Sequence, residues 1–293
     1  MADRREVRAA TTPAPILDGT FPKSWIDGRD EKEPKIQIHA YNDTTYIFRQ
    51  SLITDREAPF IYLLLGTERA LLLDTGAGGI DLVSVVKAIL DKHAQKIGMK
   101  DYPLIVAHSH SHGDHTAGDK NFVDASKPDA KDPLRATVVE TRPADVAKFF
   151  KIKDWPKQIV TFDLGGRALE IIPIPGHEPS SIAIYDPNTA ILLTGDTLYP
   201  GRIYVGDFKL LLESAERLVE FTKTRSIKWV LGTHIEMTAE PKKDFKFTAL
   251  KRENERVLQL ERRHVVELRD ELLKMKEKPV RKALDDFIIY PMK

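Results

Sequence analysis

Residues 107–115, Ala107-His108-Ser109-His110-Ser111-His112-Gly113-Asp114-His115, carry four histidines and an aspartate in one short stretch. In an extended segment side chains two apart point the same way, so His110 and His112 can hold one metal ion between them. Asp114 and His115 sit just after the turn and face a neighbouring position. Neutral imidazole and carboxylate are donors that zinc accepts at neutral pH. The competing account is a solvated loop that is histidine-rich by chance. Three distant pieces argue against it. Pro175-Gly176-His177 follows an apolar run ending at Ile174, Gly195-Asp196 follows residues 190–194, and Gly232-Thr233-His234 follows residues 227–231. Each sets a metal-competent side chain directly after a buried strand, where ligand sites of sheet proteins gather. Any one of them alone reads as an ordinary turn residue; together with the histidine cluster they read as a metal site.

The elements that must position these residues follow from hydrophobic periodicity. Residues 35–39 alternate, 44–48 are rich in β-formers, and 60–65 and 70–73 are nearly continuous apolar strands. Leu82, Val85, Val86, Ile89 and Leu90 have helical spacing, and residues 104–107 form a strand that leads into the histidine cluster. Further strands are expected at 136–140, 159–162, 168–174, 181–185, 190–194, 227–231 and 287–290, with a helix at 208–222. Runs of this kind flanked by helices imply sheets buried on one or both faces. Residues 247–278 are expected as a long charged amphipathic helix, either continuous or broken once, with Val257, Leu260, Val265, Leu268, Leu272 and Met275 along its apolar stripe. Residues 1–34, rich in Pro, Asp, Lys and Arg, read as an irregular lead-in to a single domain over 35–293.

The segment His110-Ser-His112-Gly-Asp114-His115 resembles the H-x-H-x-D-H motif of the metallo-β-lactamase superfamily. Leu72-Leu73-Asp74-Thr75-Gly76, Pro175-Gly176-His177, Thr194-Gly195-Asp196 and Gly232-Thr233-His234 resemble its remaining motifs in the same order, over roughly residues 35 to 240. The resemblance implies an α/β (α+β) fold, an αββα sandwich of two mixed sheets flanked by helices, with the site on one edge. It implies two zinc ions, iron or manganese being the alternatives. One ion would bind His110, His112 and His177; the other would bind Asp114, His115 and His234, with Asp196 bridging. Asp74 would orient a ligand histidine through its other ring nitrogen, a plain turn aspartate being the competing account. The two ions would share a water and lower its pKa, and Asp114 is placed to receive the nucleophile's proton. Tyr199 lies near enough in sequence to donate to an oxyanion, although ordinary packing is the stronger account. His108 reads as the end of a strand. Glu178 is uncommon after the third histidine. His39, His93 and His264 read as surface residues.

A formal net charge of +1 gives no global reason to expect nucleic acid as partner. The absence of cysteine excludes disulfides and thiolate ligands. No apolar segment follows Arg4, Arg5 and Arg8 and no run of about 18 apolar residues occurs, so neither a leader nor a membrane span is expected and a cytoplasmic location is. The expected reaction is hydrolysis of a small-molecule ester, lactone, thioester or amide, with weak β-lactam turnover as a side activity. The oligomeric state is open, a homodimer included. Two alternatives share the motif: a phosphodiesterase or nuclease, and a mononuclear iron enzyme resembling persulfide dioxygenases. Basic residues of the C-terminal helix folded across the site would favour the phosphodiester. Loops 51–59 and 124–134 are expected to shape the substrate site.

Overall fold

The computed structural model describes residues 17–276 and 278–292, so the first sixteen residues of the expected lead-in lie outside it. A six-stranded sheet runs in chain order: β1 (Ile36–Asn42), β2 (Thr45–Gln50), β3 (Phe60–Leu65), β4 (Ala70–Leu73), β5 (Leu104–Ala107) and β6 (Ala136–Val138). Its first four strands are antiparallel, and β4, β5 and β6 are parallel. The second sheet comprises β7 (Val160–Asp163), β8 (Ala168–Pro173), β9 (Ile182–Asp186), β10 (Ile191–Gly195) and β12 (Trp229–Gly232). It is antiparallel except for the β10–β12 pair. A small third sheet, unforeseen in the sequence, joins β11 (Arg202–Val205), β14 (Ile288–Pro291) and β13 (Lys282–Ala283). The helices are α1 (Leu82–Ile97), α2 (Gly113–Thr116), α3 (Asp119–Ala125), α4 (Pro143–Phe150), α5 (Phe208–Thr222) and α6 (Arg262–Met275).

The apolar runs of β3, β4, β5, β9 and β10 are continuous because these strands bury both faces. Leu71, Leu73, Ile105 and Ala107 of the first sheet meet Ile182, Ile184, Ile191 and Leu193 of the second in one core between the sheets. Their neighbours Leu72, Leu104 and Val106 face outward onto Val86 and Leu90 of α1 and Phe122 of α3. On the other side Ala183, Leu192 and Val230 face Leu211, Leu218, Val265 and Leu268 of α5 and α6. The result is the expected αββα layering of two mixed sheets between helices. Arg167 ties the sheets together. It pairs with Asp186 at 2.6 Å and donates to the Thr44 and Leu65 carbonyls of the first sheet.

The C-terminal helix is shorter than its periodicity implied. Residues 247–261 are irregular, and Val257 of the expected stripe is 64% exposed. Tertiary bonds hold that stretch out of helix. Val230 and Leu260 exchange backbone hydrogen bonds, Arg49 buries a 2.9 Å pair with Glu255, and Arg252 donates to the Ile235 and Arg56 carbonyls. Helix α6 starts only after Glu261, whose backbone N–H donates to His264 Nδ1 at 2.8 Å. His264, expected at the surface, is therefore buried, its Nε2 lying 2.9 Å from Asp286. His93 is buried too, its Nε2 bonded to the Gly66 carbonyl. His39 is partly exposed and lies beside the Thr20 carbonyl.

Gly176 has φ +144, and a Cβ there would run into the Leu211 backbone of α5. Gly166 also has positive φ (+64) but an added Cβ would meet nothing within 4 Å. Gly176→Ala is expected to cost about 2–4 kcal/mol, backbone strain plus overpacking, and Gly166→Ala about 1 kcal/mol from strain alone. Urea unfolding of the two variants checks this; equal losses would show that the close approach to α5 carries no cost.

Candidate metal centre

Every residue singled out for metal binding lies just past the C-terminal end of a strand, and these ends share one edge of the sandwich. β5 leads to residues 108–115, β8 to His177, β10 to Asp196 and β12 to His234, while β4 leads to Asp74. Backbone bonds between the sheets hold the edge together: Ile182 N–H donates to the Ser109 carbonyl at 2.9 Å, and Phe60 N–H to the Thr233 carbonyl at 2.7 Å.

Two donor groups result, His110, His112, His177 and Asp196 in one, Asp114, His115 and His234 in the other. In the first, His112 Nδ1 lies 2.9 Å from His110 Nε2 and 3.1 Å from His177 Nε2. Asp196 Oδ2 lies 3.7 Å from His110 Nε2 and 3.5 Å from His177 Nε2. In the second, Asp114 Oδ2 is 3.3 Å from His115 Nε2 and 3.4 Å from His234 Nε2, and the two imidazole nitrogens are 3.3 Å apart. Asp196 reaches this group as well, with Oδ1 3.3 Å from His234 and Oδ2 3.7 Å from His115. Tetrahedral ligands about 2.1 Å from a zinc ion are separated by about 3.4 Å, so the donor spacing fits a small cation at the centre of each group. Asp196 stands between the two.

The other ring nitrogens explain why these donors point inward. His115 Nδ1 lies 3.0 Å from Asp74 Oδ2, and Asp74 Oδ1 accepts the Ser109 N–H at 2.7 Å. His110 Nδ1 lies 3.0 Å from Ser109 Oγ, which itself donates to Asp74. His177 Nδ1 faces the Tyr204 carbonyl at 3.0 Å, and His234 Nδ1 the Glu57 carbonyl at 2.9 Å. Each arrangement places the proton on Nδ1 and turns the Nε2 lone pair toward the centre. Asp74 is thus more than a turn residue: fully buried at φ +73, it braces two of the histidines.

The electrostatics point to the same need. Burial opposes a proton on His234, but Asp196 and Asp114 outweigh it and raise His234 to about 10. His115 rises likewise against burial, through Asp74 and Asp196. Burial would raise Asp114, yet hydrogen bonds from His115 and His234 hold it well below the usual carboxylate range. His110 and His177 are lowered, by burial first and then, for His110, by the neighbouring His115. The two carboxylates therefore draw positive charge into the second group, which protons or a cation can supply.

A cavity of about 260 Å³ opens over His112, Asp114 and Asp196, walled by Glu57, Tyr204 and Phe247. Among the described residues no Lys or Arg lines it. Tyr199 borders it, but its ring is buried and its hydroxyl donates to the Arg202 carbonyl and lies 3.2 Å from Glu236. With its hydroxyl engaged there, Tyr199 is placed as the packed tyrosine that was the stronger of its two readings. His108 ends its strand beside Asp119, 2.8 Å away, facing neither group of donors. Glu178 caps its own turn by accepting from Ser180. Loop 51–59 shapes the cavity through Glu57, whereas residues 124–134 contribute nothing to its lining. Helix α6 lies behind the second sheet against α5 and does not cross the site. Tyr204, Phe247 and Met292 were missed, since only the third sheet and the irregular 247–261 stretch bring them here.

Comparison with known proteins agrees with this geometry. A family model described as the metallo-beta-lactamase superfamily matches residues 54–273. The acyl-coenzyme A thioesterase MBLAC2 of Bos taurus is 28% identical over 203 residues, 59% of this chain and 72% of that one. A hydroxyacylglutathione hydrolase of Synechococcus sp. is 29% identical over 168 residues, 54% of this chain and 58% of that one. Among solved structures, that of TMB-1 superposes with a TM-score of 0.54 at 15% identity, covering 84% of this chain and all of the other, which speaks for the fold alone. With its matching sandwich and its strand-end His and Asp donors, the chain belongs to the metallo-beta-lactamase superfamily and is a metal-dependent hydrolase.

Proposed function

We propose that the protein hydrolyses a carboxylic thioester or ester of a small molecule, using two zinc ions held by His110, His112 and His177 and by Asp114, His115 and His234, with Asp196 between them. The observation that carries the choice of substrate is the lining of the metal cavity. Asp114 and Asp196 are taken up by the metal positions and Glu236 by Arg202 at 2.8 Å, which leaves Glu57 as the carboxylate at its border, and among the described residues no Lys or Arg lines it. A phosphodiester brings its own negative charge and would find no side-chain cation lining that cavity beyond the metal ions, while an acyl carbonyl is neutral until attack begins. The relatives whose names specify an acyl-coenzyme A thioesterase and a hydroxyacylglutathione hydrolase support the acyl reading.

Bound zinc supplies a water acidified to near neutrality and a Lewis acid for the carbonyl oxygen. The chain's own residues do the rest. Asp74, Ser109 and the carbonyls of Tyr204 and Glu57 keep four histidines in one tautomer and one orientation. Asp114 borders the cavity, and with Oδ2 turned to the metal position its other carboxylate oxygen would be the one to accept the attacking water's proton. It can then return that proton to the leaving thiolate or alkoxide. Met292 and Phe247, each 51% exposed, offer apolar contact to the arms of the substrate at the cavity mouth.

Asp114→Asn is expected to keep the fold by circular dichroism and to lower kcat by about 10²- to 10⁴-fold at matched metal content. His39→Ala, far from the donors, serves as the unaffected control. Equal activity in the Asp114 variant and the parent would remove Asp114 from proton transfer. For the reaction class, kcat/KM measured at identical metal loading should be higher for a thioester or lactone than for a phosphodiester or a β-lactam. A phosphodiester rate more than about tenfold above the thioester, roughly 1.4 kcal/mol of transition-state binding, would reverse the assignment.

A further inference from the structure

A second cavity, of about 410 Å³, adjoins the metal cavity, and Tyr204 and Phe247 line both. Its charge is of the opposite sign. Arg202, Lys246 and Arg281 border it against a single carboxylate, Asp244. Arg202 is already neutralised, by Glu236 at 2.8 Å and Asp244 at 2.9 Å. Arg281 is half exposed and shares Asp244 at 3.2 Å, while Lys246 has no ion-pair partner among the described residues. Two cations thus face the cavity with part or all of their charge uncompensated. Tyr204 and Tyr290 form its aromatic side, their rings 5.2 Å apart and tilted by 65°. Phe247, half exposed between the two cavities, carries the Arg56 guanidinium 4.4 Å from its ring centre.

We propose that this second cavity is a subsite for a phosphate-bearing arm of the substrate whose acyl group lies in the metal cavity. The inference rests on the acyl-hydrolase reading of that metal cavity. The division of labour follows from charge. The carboxylate-bordered cavity takes the neutral scissile group, and Lys246 and Arg281 take the anion, as Lys and Arg do wherever phosphate is bound. The phenolic rings offer a face on which a planar base can stack. Substrates with a phosphorylated leaving group separated from the acyl carbon by a flexible spacer have this shape; a bare alkyl ester does not.

Calorimetric titration with adenosine 3′,5′-bisphosphate, and with inorganic phosphate as the anion alone, tests the subsite without turnover. The metal-loaded protein should bind the bisphosphate more tightly than inorganic phosphate. Lys246→Ala and Arg281→Ala should each weaken binding of the bisphosphate by about tenfold through loss of one charge-assisted contact. Lys274→Ala, which removes an exposed cation on α6, should leave the Kd unchanged. Absence of binding heat, or a Kd unmoved by both cavity substitutions, would overturn the subsite. Inorganic phosphate binding as tightly as the bisphosphate, insensitive to both, would put the anion at the metal centre and overturn it too. Failure to hydrolyse any ester or thioester would sink the reaction proposed above, and the titration would still decide the subsite.

Discussion

Seven side chains bring nitrogen and oxygen donors to within 2.9–3.7 Å of one another across two adjoining groups. Lone pairs at such distances repel unless positive charge sits among them. The carboxylates among them raise His115 and His234 against the effect of burial, the same demand for positive charge. This requirement for a cation governs the rest of the molecule. Five strands must end together, the segment after β5 must supply four donors and those after β8, β10 and β12 one each, and four of the five imidazoles have their outer nitrogen on a fixed partner.

The fold meets that requirement at some local expense. Asp74 sits at φ +73, a conformation unusual for any residue but glycine, asparagine and aspartate. Gly195 takes φ +51 where a Cβ would press on Ser109, and Gly176 passes so close to α5 that no side chain fits. Backbone turns and close approaches of this kind are held in place only where the surroundings fix them. Here they do: inter-sheet backbone bonds, the Arg167–Asp186 clamp and three apolar layers hold the edge from behind. Thr233 adds a hydrogen bond to Asp196 itself. The precision lies in the scaffold, and the ligand side chains inherit it.

Much of this was legible in the sequence because the signals are local. A strand buried on both faces is a continuous apolar run, as at Phe60–Leu65 and Ala70–Leu73, and a donor just after it needs no tertiary information to be noticed. Helix α5 likewise showed its full extent. What escaped depends on distant partners. The 247–261 stretch has a helix-like pattern, yet Val230, Ile235 and Arg56 claim its hydrogen bonds first. His93 and His264 lie in charged surroundings and looked exposed, but a carbonyl in one case and Asp286 in the other lets them be buried. Tyr199 follows Asp196 closely enough to suggest chemistry, and its buried ring and bond to the Arg202 carbonyl go with the packing account. The cavity walls formed by Tyr204, Phe247 and Met292 come from three separate segments, and no spacing rule connects them.

The central claim is that two cations, and specifically zinc, occupy the two donor groups. Anomalous diffraction from crystals of the purified protein, recorded on either side of the zinc absorption edge, tests it most directly. The account predicts two zinc peaks, one among His110, His112 and His177 and one among Asp114, His115 and His234, with Asp196 in contact with both. A single peak at the iron edge, lying in one group with the other empty of metal, would contradict it and support the mononuclear iron alternative.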